Sequence, residues 1–180
     1  MPSHLALIRG INVGGKSLLP MADLRTALEA AGFLEVSTYI QSGNVLFSSS
    51  ETNNSLLAAQ IQNLISDTFA IQTGVVVFSA VEWQNVIAKA PGWWGQKEGW
   101  RHYLFVPFHD TSTDDVVKAF GALKADIEQI TAGPGVVYQS LLITKYGQTT
   151  SGMFMQSPLY KKVTIRNFNT TMKLGKLLEG

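Results

Sequence analysis

The stretch Leu5–Pro20, LALIRGINVGGKSLLP, sets the first constraint on the fold. Leu5 to Arg9 is an apolar run with no polar alternation before Arg9, the pattern of a central strand covered on both faces. Gly10 to Ser17 is rich in glycine, so the run ends in a loop. Pro20 suits the first turn of a helix, where its missing N–H costs nothing. Beyond it, Met21, Leu24, Ala27, Leu28 and Ala31 recur at helical spacing, and Gly32 stands where a C-terminal cap belongs.

The second constraint is Ser42-Gly43-Asn44. Val36 to Ile40 alternates as a strand, and Val45 to Ser48 returns as its partner. Gly43 and Asn44 both tolerate positive φ, so a tight turn joins the two and makes the pair antiparallel. Asn53 or Asn54 caps a second helix, whose expected buried stripe is Leu57, Ile61, Leu64, Ile65 and Phe69. Thr73 to Ser79 reads as a fourth strand. The order is β-α-β-β-α-β, the ferredoxin-like split unit.

The same order recurs further on. Ala80 to Ala90 predicts a connecting helix with Val81, Val86 and Ile87 apolar, and PGWWGQKEGW (91–100) is a turn-rich loop with three of the four tryptophans. His102 to Phe108 predicts a strand and Thr113 to Leu123 a helix, with Asp114 and Asp115 serving its N-terminal dipole. Ile127 to Thr131 and Val136 to Thr144 flank the hairpin signal Gly133-Pro134-Gly135. Thr149 to Tyr160 predicts a helix interrupted by Pro158, Lys162 to Arg166 the closing strand, and Thr170 the cap of a last helix through Leu178. The expected architecture is α+β. Residues 1–80 and 101–180 form two ferredoxin-like halves with antiparallel sheets. Residues 81–100 hold the connecting helix and the tryptophan-rich loop, and a C-terminal helix closes the second half.

Composition narrows the function classes. At 46% hydrophobic and 15% charged, the 180 residues suit an ordinary globular chain. A net charge of +1 recruits no nucleic acid globally. The charge is uneven, though: from Lys145 onward there are six basic residues and one acid. The absence of cysteine excludes disulfides, thiolate metal sites and cysteine nucleophiles. His4, His102 and His109 lack the spacing of a helical metal pair, so no metal is expected. No motif implies a cofactor. The opening residues lack the features of a signal peptide, and no apolar run is long enough to span a membrane. A cytoplasmic protein without membrane association is the expectation.

Gly10 to Ser17, GINVGGKS, satisfies the Walker A pattern G-x-x-x-x-G-K-[ST]. A P-loop helix would start at the Gly-Lys pair and place Pro20 inside it, where proline deletes a hydrogen bond and clashes. Leu19, preceding proline, is biased to extended geometry. P-loop folds also need a parallel sheet. An ATPase is therefore not the expectation.

Several segments carry a resemblance. Leu7 to Lys16 (LIRGINVGGK), Met21 to Arg25 (MADLR), Thr38 to Val45 (TYIQSGNV) and Thr164 to Thr170 (TIRNFNT), with Lys173-Leu174, are similar to the bacterial DUF1697 family, a domain of unknown function. The resemblance covers nearly the whole chain. It implies a two-part α+β fold with ferredoxin-like character, and it implies no reaction.

The polar members of these motifs form the candidate site: Arg9, Asn12, Lys16, Gln41, Ser42, Asn44, Arg166, Asn167, Thr170 and Lys173. All lie at expected strand ends or helix starts. One reading joins them in a cationic seam between the halves that takes a phosphate- or carboxylate-bearing small ligand, with Thr170 at a helix start and Arg166 and Lys173 reinforcing it. Another has them hold the halves together. The asparagines would then satisfy turn backbones, Arg9 would pair with a carboxylate such as Asp23, and the glycines would serve turn geometry. No residue reads as catalytic: Ser42 lacks a G-x-S-x-G frame and a paired histidine. Two alternatives belong to other classes. Single-stranded nucleic acid binding needs exposed aromatics on central strands, for which Phe47 and Tyr39 are the candidates, but the RRM signature is absent. An interaction-only module would dimerise without ligand. Trp93, Trp94 and Trp100 read as a hydrophobic lid or a self-association surface rather than a stacking platform.

Overall fold

A computed structural model describes residues 3–15 and 17–179. Among the described residues eight strands and six helices follow in the order β1 (His4–Ile8), α1 (Met21–Ala30), β2 (Leu34–Tyr39), β3 (Asn44–Ser48), α2 (Asn54–Phe69), β4 (Val75–Ser79), α3 (Ala80–Ala88), β5 (Trp100–Pro107), α4 (Thr113–Ala119), β6 (Glu128–Ala132), β7 (Val137–Leu142), α5 (Ser151–Gln156), β8 (Val163–Asn167) and α6 (Phe168–Glu179). Two 3-10 helices, Ile143–Gln148 and Pro158–Lys162, flank α5. The chain divides into two units, Met1–Gln84 with Lys173–Gly180, and Asn85–Met172. No helix among the described residues is long and apolar enough to cross a membrane.

The first unit holds a four-stranded sheet in the order β2-β3-β1-β4, and β1 pairs antiparallel with both β3 and β4. All five residues of β1 are buried. Side chains alternate across a strand. Ala6 and Ile8 join the core under α1 and α2, with Leu24, Leu28, Leu57, Ile61 and Ile65. Leu5 and Leu7 point the other way and are equally inaccessible. The two-sided apolar run expected at Leu5 is therefore a central strand. Phe47 sits in the same core, stacked with His4 at 5.4 Å and edge-on to Phe33 at 5.1 Å. It is not the exposed base-stacking residue that nucleic acid binding on this sheet requires.

Local signals explain most boundaries. Pro20 takes the N-cap position rather than the first helical residue. At the other end of α1, Gly32 has φ +94°, and the N–H of Phe33 donates to the Leu28 carbonyl at 3.1 Å, the glycine-terminated cap. Asn53, not Asn54, caps α2, its Oδ1 accepting from Ser55 and Leu56 N–H at 3.0 and 3.2 Å. The β2–β3 turn lies one residue earlier than expected, over 40–43. Tyr39 pairs with Asn44, and the residues with positive φ are Ile40 and Gly43. Asn44 is the first residue of β3 instead.

The second unit repeats the arrangement: β6-β7-β5-β8, all pairs antiparallel. Phe105, Val137 and Val163 face α4 and α5, where Phe120 and Phe154 complete the core. Helix α4 stops at Ala119, short of Leu123, because Phe120 caps it and Gly121 takes φ +74°. The segment expected as a helix from Thr149 to Tyr160 interrupted by Pro158 is α5, ending before Pro158 as expected, but with 3-10 helices on either side of it. The buried carboxylate of Glu128 anchors its start, accepting from the N–H and hydroxyl of Thr150, both at 2.9 Å. In α3 the buried residues are Trp83 and Val86, while Val81 points to solvent. Trp94 belongs to the core rather than to a lid. Its Nε1 donates to the Tyr103 carbonyl at 3.1 Å, and its ring meets Tyr138 and Phe168 edge-on.

Gly43 is where the first sheet tolerates least change. Its φ is +78°, and a Cβ there would lie 2.8 Å from the carbonyl oxygen of Ile8. We predict that Gly43→Ala destabilises the protein by about 2 kcal/mol or more, from left-handed strain and from the clash with the β1 backbone. Urea unfolding measures this, and a loss below the strain cost alone would mean that the turn moves away from β1 freely.

Candidate functional site

The described first-unit candidates, Arg9, Asn12, Gln41, Ser42 and Asn44, gather at one end of the sheet. Arg9 follows β1, and its N–H donates to the Gly74 carbonyl at 2.9 Å. Its carbonyl accepts from the Thr73 hydroxyl. Asn12 has φ +56° and closes the loop on itself. Its Nδ2 donates to the Leu19 carbonyl at 2.8 Å, and the Leu19 N–H donates back to its Oδ1 at 2.8 Å. The same Nδ2 donates to the Gln41 carbonyl at 2.9 Å, and Ile8 N–H donates to Gly43 at 2.8 Å. The opening loop and the β2–β3 turn thus meet. Asn44 is fully buried, its Nδ2 donating to the Tyr39 carbonyl at 3.0 Å and to Ser42 Oγ at 3.1 Å.

Asn12 and Asn44 therefore spend their side chains on turn backbones, as the second reading of the motif expects. Lys16 lies outside the described residues. Among the described residues Asp23 makes no ion pair, so an Arg9–Asp23 bridge is not formed. A P-loop geometry is not present either. Helix α1 begins at Met21, beyond Ser17 at φ +50°, and the sheet is antiparallel.

The second-unit candidates lie where β8 passes into α6. Arg166 is on β8 and 6% exposed. Its Nη1 donates to Thr164 Oγ1 and to the Ile165 carbonyl, both at 2.8 Å. Burial pushes its pKa down to about 10, which leaves it charged at neutral pH. Helix α6 starts at Phe168, two residues before the expected cap. The capping residue is Asn167, whose Oδ1 accepts from the Thr170 N–H at 2.8 Å. Thr170 is consequently a buried first-turn residue with its N–H already taken. Lys173 is exposed on α6, in the part of the helix that belongs to the first unit.

Asn167 borders a cleft of about 520 Å³ wholly within the second unit. The 95–103 segment supplies one wall, with Lys97, Glu98, Trp100, Arg101 and His102, and the start of α6 supplies the other, with Phe168 and Asn169. The tryptophan-rich stretch was legible as a loop. Lys97 and Arg101 were not legible as site residues, because no spacing motif marks them. Lys97 Nζ stands 4.3 Å from the Trp100 ring centroid and donates to Gln129 Oε1 at 3.1 Å. His102 Nδ1 is 2.6 Å from Ser140 Oγ, and its ring lies edge-on to Phe168. Burial holds the His102 pKa below its ordinary value, so at neutral pH the ring is a neutral hydrogen-bonding group.

Two predictions follow from these contacts. Asn12→Gly keeps the positive φ and removes the side-chain bonds. It should cost about 1–3 kcal/mol in urea unfolding, the range for unpaired backbone groups; an unchanged midpoint would show that the loop closes without them. The histidines generate the other. In the unfolded chain His102 returns to its ordinary pKa, near 6.5, so there it binds more protons than the folded form as pH falls through that value. Its contribution is present above about pH 6.5 and is lost on acidification toward the depressed folded value. Burial shifts His4 the same way, with Glu82 opposing. The fall in melting temperature from about pH 7 to about pH 5 should be shallower in His102→Gln; parallel curves for the two proteins would refute the assignment.

Comparison with other proteins places this geometry. The chain is similar to a conserved bacterial protein, SP0830 from Streptococcus pneumoniae, at 26% identity with a TM-score of 0.88, over 100% of this chain and 99% of that one. No curated protein matches it. The family model described as "Protein of unknown function (DUF1697)" matches residues 1–138, which takes in the opening loop, the β2–β3 turn and the 95–103 wall of the cleft. On that match the chain belongs to the DUF1697 family.

Proposed function

We propose that this protein binds a small anionic ligand, carrying a phosphate or carboxylate, in the polar cleft beside α6. The supporting observation is the start of that helix. Asn167 takes the Thr170 N–H, whereas the N–H groups of Phe168 and Asn169 open a twelve-residue helix beside the cleft. The first N–H groups of a helix have no partner inside it and favour negative charge. Lys97 and Arg101 line the same cleft, with Glu98 as the opposing charge. The Arg166 guanidinium, one residue before the cap, adds positive potential from the strand. The frame for this reading is a pair of ferredoxin-like modules, supported by the matching strand orders of the two sheets.

In the first unit Arg9, Gln41 and Ser42 are assigned to ligand binding as well, on segments held by Asn12 and Asn44, and Lys16 is assigned with them from its place in the sequence alone. The protein is proposed as a binding protein, and no group in the cleft is assigned a catalytic step.

Thermal shift and calorimetry with inorganic phosphate, citrate and a nucleoside monophosphate test the proposal. A ligand that binds the folded form raises the melting temperature. Arg101→Ala should weaken that binding roughly tenfold to a hundredfold, the worth of one hydrogen bond to a charged group. No shift with any of the three anions would sink the proposal. A response to short single-stranded RNA alone, falling steeply with salt, would replace it with nucleic acid binding.

A further inference from the structure

A second cavity in the same unit has different chemistry. It occupies about 200 Å³ between the sheet and the α5 segment. Phe105, Phe120 and Phe154 form its aromatic wall. The rings of Phe120 and Phe154 stack at 4.3 Å, and Phe105 meets each of them edge-on, at 5.3 and 5.2 Å. Tyr146 and Met155 line the cavity too. Each is about half exposed, and the Tyr146 hydroxyl donates to Met155 Sδ at 3.6 Å, so together they form a thin cover at the mouth.

One lining residue does not fit an ordinary core. Gln139 is on β7, opposite Tyr103 and Ile130, and only 1% exposed. A buried amide without full hydrogen bonding is costly. Gln139 Nε2 donates to Ser151 Oγ at 3.0 Å. Its carbonyl oxygen accepts no hydrogen bond among the described residues, yet it is not sealed in the core: it keeps accessible surface, and the amide lines the cavity. Apolar walls with a few convergent polar groups, here the Gln139 amide and the Ser151 hydroxyl, are the usual makeup of a small-molecule pocket. An apolar cavity of about 150 Å³ accepts one benzene ring, so this one holds a single ring with a small substituent.

We propose that this cavity binds a neutral one-ring aromatic molecule bearing a hydroxyl or amino donor, with the ring among Phe105, Phe120 and Phe154 and the donor on the Gln139 carbonyl. The site is distinct from the anionic cleft. Its lining carries no charged side chain, so it takes no charged ligand, since an ion would enter without a counter-charge. A pocket that hydrogen-bonds a substituent discriminates strongly against the analogue lacking it, because its own polar group is then left unpaired.

The test uses the full chain, with phenol and toluene as probes. Phenol should shift the methyl resonance of Met155 and leave that of Met21, in the first-unit core, unmoved. Phenol should bind at least tenfold more tightly than toluene. Gln139→Leu, of similar volume, should abolish that preference and retain toluene binding. Equal affinity for the two probes in the unmodified protein would overturn the assignment of Gln139. No movement of the Met155 methyl at saturating phenol would overturn the site itself. Both readouts on the unmodified protein hold even if Gln139→Leu fails to fold.

Discussion

A strand with apolar side chains on both faces has to be hydrogen-bonded on both edges and covered twice. β1 is that strand in the first unit. Its backbone pairs with β3 and β4, and all its side chains are buried. Leaving it at an edge would expose unpaired N–H and C=O groups beside an apolar surface. Once β1 is central, β3 must lie against it and β2 outside β3. The loop leaving β1 then has to turn beside the β2–β3 connection, so Gly43 packs against the Ile8 carbonyl and Asn12 reaches Gln41. Within the segment that matches the Walker A pattern, the Asn12 side chain closes this corner.

The second unit solves the same problem with heavier side chains. Trp94, Tyr138 and Phe168 form an edge-to-face cluster. The Tyr138 hydroxyl donates to the Val86 carbonyl, and burial pushes its pKa up to about 12, which keeps it a donor at any ordinary pH. The tryptophan-rich loop is thereby fastened at Trp94, while Lys97, Trp100 and Arg101 stay on the cleft side. One short segment supplies both the packing anchor and the polar wall.

The polar cleft and the aromatic cavity differ in what they offer a ligand. The cleft beside α6 presents cations, carboxamides and the open end of a helix dipole. The cavity under α5 presents three phenyl rings and half of a buried amide. These chemistries select against each other's ligands, since an anion is costly among phenyl rings and a bare ring gains little beside Lys97 and Arg101. Within about ninety residues the fold thus separates a polar recess from an apolar one.

The order of elements was legible in the residues because it depends on near neighbours. Apolar periodicity, Gly32, Asn53 and the β2–β3 turn are signals spanning a few positions, and the structure follows them to within a few residues at most boundaries. Three features resisted such reading. The cap of α6 is Asn167 and not Thr170, because the helix grows directly from the end of β8 without a loop to announce it. Phe47, a candidate only if it were exposed, is buried because α1 and α2 pack over its face of the sheet, which periodicity within β3 does not reveal. The cleft and the aromatic cavity join residues from 95 to 169 and from 103 to 165. Hydrophobic pattern and turn chemistry are local, so the sequence by itself determined the strands, the helices and their antiparallel return. Which side chains face one another across a cavity depends on contacts between distant segments, and those only the tertiary structure decided.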